Sequence, residues 1–106
     1  MGTYQITKDA DKMICCIYKS YLERRKNGES KSLAKRFENN YFASDSNLSK
    51  WQSEDISETL LELAHSQLVN IYIGGDFNIT DQAIIYMENR FKNGLSEILD
   101  IISKMF

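Results

Sequence analysis

Leu68 to Thr80 reads LVNIYIGGDFNIT and runs directly into DQAIIYMENRF. An apolar run, a glycine-centred turn and a short apolar–polar alternation mark a β-hairpin. The segments on either side carry apolar residues at three- and four-residue steps, the helical period. A small hairpin trapped between two helices is the strongest constraint in the chain. Gly74-Gly75-Asp76 falls where such a turn needs positive φ, which glycine adopts without a Cβ penalty.

The rest divides readily. Ala10, Met13, Ile14, Ile17, Tyr18, Tyr21 and Leu22 form one stripe of a helix over Asp9–Lys26, capped by Thr7 or Asp9 and stopped by Asn27-Gly28. Ser30 is placed to cap a shorter helix running to about Glu38, with Leu33, Ala34 and Phe37 on one face. Asn39 to Leu48 is rich in turn formers and reads as a connection, with Tyr41 and Phe42 plugging the core. Ser49-Lys50-Trp51-Gln52 fits a capping box for a third helix, whose inner face is Ile56, Leu60, Leu63, Ala64 and Gln67, with Leu61 and Leu68 beside it. After the hairpin, Thr80 caps a helix with Ala83, Ile84, Met87 and Phe91 inward, ended by Asn93-Gly94. A final helix spans about residues 95–106.

One hundred and six residues make a single domain with one core. No apolar run approaches the roughly 20 residues needed to span a membrane. The start, MGTYQITKDADK, has neither the basic flank nor the apolar stretch of a secretory signal, and Ile6 stands where a myristoylation signal has Ser or Thr. An intracellular, cytoplasmic protein is expected, and the sequons at Asn47 and Asn78 are read as chance matches. Cys15 and Cys16 are adjacent and have no third thiol, so no disulfide is expected; one should face inward and one the flank.

Charge is unevenly spread. Residues 1–40 hold nine Lys/Arg against five Asp/Glu; residues 41–106 hold four against ten. The cations Arg24, Arg25, Lys26, Lys31, Lys35 and Arg36 cluster where the first two helices join. The third helix opens with Lys50, Trp51, Gln52 and Ser53 but continues with Glu54, Asp55, Glu58 and Glu62.

The stretch LLELAHSQLVNIYIGGDFNITDQAIIYMEN resembles the recurring close of winged helix-turn-helix domains: a helix ending in a buried leucine, an "-LV-" strand, a turn, and a strand finishing in Ile-Thr. Thr80-Asp81-Gln82-Ala83 departs from that pattern, with alanine where glycine is common. The element order over about residues 8–93 is similar to small winged-helix proteins of bacterial and prophage origin, such as the YjcQ-like group. The resemblance implies a mainly α fold with a small β-hairpin wing, extended here by a C-terminal helix. It also implies a DNA-binding regulator of transcription that contacts double-stranded DNA through its second and third helices. Arg24, Arg25, Lys26, Lys31, Lys35, Arg36, Lys50, Gln52 and Ser53 are then the candidate contacts.

Against this, four carboxylates on the third helix would face a phosphate backbone carrying one negative charge per about 1.7 Å. The wing tip holds Asp76 where a cation would grip that backbone. The alternative is a protein-interaction domain on the same scaffold, docking a partner through the acidic helix or through the C-terminal one. Leu95, Ile98, Leu99, Ile101, Ile102, Met105 and Phe106 span more than one helix face, which points to a homodimer seam there, the alternative being a helix packed across the first one that closes the core within one chain. No catalytic set, phosphate loop or metal-ligand spacing stands out, and His65 is a lone histidine. A non-enzymatic chain without cofactor or metal is expected.

Overall fold

The computed structural model describes residues 5–106. Six helices and three short strands follow in the order α1 (Lys8–Lys26), α2 (Lys31–Ala34), β1 (Arg36–Phe37), α3 (Tyr41–Ser44), α4 (Ser53–His65), β2 (Val69–Ile71), β3 (Phe77–Ile79), α5 (Asp81–Arg90) and α6 (Leu95–Met105). A 3-10 turn at Leu48–Lys50 precedes α4. The architecture is mainly α with a small antiparallel sheet, as the hairpin signature requires.

α1 is the central element. Met13 to Tyr18 are six consecutive buried residues, so the helix is enclosed all round rather than along one stripe. α4, α6 and α2 pack around it. Both thiols are therefore inside, with Arg90 of α5 near Cys15 and Asp45 and Asn47 near Cys16, so the expectation that one would face the flank fails. Thr7 caps the helix start, accepting from Ala10 N–H at 3.2 Å. At its end the Gly28 and Glu29 N–H groups return to the Arg25 and Arg24 carbonyls, both at 3.0 Å, the double closure that a left-handed glycine permits.

Two boundaries differ from the sequence reading. The helix capped by Ser30 lasts one turn, because Arg36 and Phe37 leave it to pair with Asn78 and Phe77 of β3. The sheet thus has three strands in the order β1-β3-β2, not two. A four-residue helix has almost no cooperative support, whereas Phe37 gains a stacked partner in Phe77, with ring centroids 5.1 Å apart. The capping box at Ser49 also does not form. The Asp45 carboxylate instead accepts from Asn47 and Leu48 N–H at 3.0 and 2.8 Å and sets the 3-10 turn. Trp51 is extended, and α4 begins at Ser53 with no side-chain cap.

Phe37, Phe42 and Phe77 stack in a column, with Tyr41 edge-on to all three. Tyr41 and Phe42 plug the core from α3, and the Tyr41 hydroxyl donates to the Cys16 carbonyl at 3.1 Å while sharing a 2.8 Å hydrogen bond with Ser20. Thr80 closes the hairpin base: its hydroxyl donates to the Gln67 carbonyl at 2.9 Å and accepts from Ala83 N–H at 3.0 Å. Ala83, Ile84, Met87 and Phe91 are buried as the spacing implies, but α5 ends at Arg90, three residues before Asn93-Gly94. Gly94 instead starts α6.

Candidate interaction surfaces

The basic cluster does not assemble into an open cationic face. Arg24 lays its guanidinium over the Phe37 ring at 4.2 Å and donates to the carbonyls of Ala34 and Arg36. It is the end-cap of the aromatic column and the cover of the β1 edge. Arg25 donates to the Glu29 carbonyl at 3.0 Å. Lys35 and Lys31 both reach Asp81 Oδ1, at 2.7 and 3.4 Å. The hydrogen bond and charge of Lys35, then Lys31, hold the Asp81 carboxyl below the ordinary carboxylate range. Lys26 and Arg36 remain exposed without an ion pair among the described residues.

Lys50, Gln52 and Ser53 are exposed at the start of α4. That start is seated elsewhere: Trp51 lies 6.4 Å from Phe106, and Lys12 overlies the same Phe106 ring at 5.5 Å. Lys12 and Arg24 are about 18 Å apart along α1 at the helical rise. The two groups of expected DNA contacts are anchored to different halves of α1.

The outer face of α4 is acidic. Ser53, Glu54, Asp55, Ser57, Glu58, Leu61 and His65 are exposed, and no cation among the described residues pairs with Glu54, Asp55 or Glu58. Glu62 is set apart from them. Its carboxylate accepts from both the N–H and the hydroxyl of Thr7, each at 2.7 Å, and so clasps α4 to the start of α1. Periodicity placed Glu62 with the acidic face; nothing local signals a partner fifty-five residues away. From Trp51 to Asn89, through α4, the hairpin and nearly all of α5, the chain has no lysine or arginine and seven Asp/Glu.

A second surface lies between α2 and the hairpin, where an open cleft of about 640 Å³ runs over the sheet. Leu33 is 56% exposed on one wall, Tyr72 52% on the other, and Ile73 at the hairpin tip is fully exposed. Phe37, Phe77 and Asn78 line the cleft, and Asn78 Oδ1 is buried there without a hydrogen-bond partner. Asn39 fixes the hairpin from outside: its Nδ2 donates to the Gly74 carbonyl and its N–H to Asp76 Oδ1, both at 2.9 Å. A Cβ on Gly75 would sit 3.2 Å from Asn39 Cβ, so glycine there serves the close approach as well as its φ of +93°.

The C-terminal helix is covered mostly from within. Ile98 and Ile102 are buried in the core, while Leu95, Ile101 and Met105 are partly buried against it. α6 packs across α1, the single-chain arrangement weighed beside the homodimer seam. Leu99 and Phe106 are the large apolar residues left exposed on this segment. Asp11 and Arg90 add a two-pronged ion pair at 2.5 and 2.9 Å between α1 and the end of α5.

Among the described residues no group of three or more His, Cys, Asp or Glu is placed to hold a metal ion, and no helix is long and apolar enough to cross a membrane. Burial, with Asp11 beside Cys15 and Asp45 beside Cys16, pushes both thiols up to about 12. That is the opposite of what a nucleophilic thiolate requires. Scans of protein-family models, curated proteins and solved structures return no match to this chain.

Proposed function

We propose that this chain is a non-enzymatic protein-interaction module on a winged-helix scaffold, presenting the acidic outer face of α4 to a basic partner. The scaffold reading is supported by the strand order β1-β3-β2 and by a helix leading directly into the hairpin. The observation that carries the choice of partner is the absence of any lysine or arginine from Trp51 to Asn89. In winged-helix docking, the helix before the hairpin and the hairpin itself meet the duplex. Here both would bring only negative or neutral side chains to a polyanion. The cations that could compensate at the α1–α2 junction are largely spent on Phe37, on backbone carbonyls and on Asp81.

Exposed Lys26, Arg36 and Lys50 are what favours the second reading, a DNA-binding regulator. Titration with mixed short duplex DNA at about 50 and 200 mM salt separates the two. A protein with several phosphate contacts loses orders of magnitude in affinity across that range. No duplex binding is expected at either salt. The double variant Glu54→Lys, Glu58→Lys is expected to gain salt-dependent duplex affinity, because it places two cations on the helix the scaffold would offer to the groove. Tight, salt-steep binding by the unmodified chain would sink the proposal.

A further inference from the structure

We infer that the cleft between α2 and the hairpin is a self-association surface, in which two copies of this chain each seat Ile73 beside the other's Leu33. Ile73 is fully exposed on a turn that Asn39 holds in place. The turn geometry does not call for isoleucine there; positive φ falls on Gly74 and Gly75, the next two positions. Apolar groups so placed mark contact sites when they join into a patch, and here Leu33 and Tyr72 extend Ile73 along the cleft.

Charge selects a second copy as the occupant. Closed pairing about a two-fold axis sets one patch against itself, so the patch must contain its own counter-charges. This one does: Lys35 and Arg36 are balanced by Glu38 and Asp76 along the cleft. The α4 face, with Glu54, Asp55 and Glu58 and no paired cation among the described residues, would repel its own copy. A hairpin tip entering the cleft brings the Ile73 side chain to the Leu33 wall.

Sedimentation equilibrium of the full chain from about 10 to 500 µM tests this, the range in which a weak to moderate dimer is populated. The expected result is a reversible dimer whose dissociation constant rises at least about tenfold, or some 1.4 kcal/mol, in Ile73→Asp and in Leu33→Asp. Both side chains are exposed, so both variants should keep the parent's circular dichroism and melting temperature. Leu99→Asp on α6 should leave the dimer unchanged. A chain monomeric throughout, a dimer indifferent to Ile73→Asp and Leu33→Asp, or one lost only in Leu99→Asp would each overturn the inference. The test does not involve α4, so it stands or falls apart from the proposed partner.

Discussion

At the scale of single residues, two side chains carry more than their type suggests. Gln67 is held at φ +64°, and its N–H and that of Leu68 return to Ala64 and Leu63 at 3.0 and 2.9 Å. This is the left-handed closure of α4, made with glutamine where glycine is usual. A left-handed L-residue costs about 1–2 kcal/mol, and glycine's greater chain entropy returns part of that. Gln67→Gly should therefore stabilise the fold by about 0.5–1 kcal/mol in urea unfolding; a loss of stability would show that the side chain has its own contacts. Periodicity places Gln67 on the inner face of α4, two positions beyond the true helix end at His65, because a left-handed residue leaves no mark in apolar spacing. Arg24 is the second case. Arg24→Ala removes a ring contact and two carbonyl partners, and should cost about 1–2 kcal/mol. Arg24→Lys should recover little of it, since an ammonium cannot lie flat on Phe37 while bonding both carbonyls. Full rescue by lysine in thermal unfolding would reduce the role of Arg24 to its charge.

At the scale of elements, legibility followed locality. α1, the hairpin and the start of α5 were readable because their caps, turns and stripes lie within a few residues: Thr7, Gly28, Gly74 and Thr80 all act where the sequence puts them, whereas Asn93-Gly94 does not end α5. β1 was not readable. Two residues have no period, and their strand state depends on Phe77 and Asn78, about forty positions later. The enclosure of α1 was half readable, since its stripe was seen and α6 packing across it was one of two readings, the other a homodimer seam. That enclosure has a consequence at high pH. The thiols of Cys15 and Cys16 are raised from 9.0 to about 12 by burial, and Tyr18 from 10.0 to about 12. Groups whose folded values lie above their unfolded ones favour the fold fully below the unfolded value, and that contribution is lost as pH rises through the folded one. Stability should hold through neutral pH and decline progressively from about 9 toward 12. Replacing both cysteines with alanine should soften that decline, measured as urea midpoint against pH. A decline that begins well below the ordinary thiol value would implicate other groups.

At the scale of the whole molecule, the charge split was visible in the sequence, but its disposition was not. Arg24, Arg25, Lys31 and Lys35 are absorbed by a ring, by carbonyls and by Asp81, and Lys26 and Arg36 stay exposed, whereas the carboxylates of α4 are left bare, apart from Glu62. Only folding decides which charges are spent. The Glu62 clasp also sets an order of events. Thr7 finds its partner fifty-five residues downstream, and Asp11 finds Arg90 seventy-nine residues downstream. The earliest of the described helices is thus the last to be finished: its six-residue buried belt stays uncovered until α6, the latest of them in chain order, closes over it.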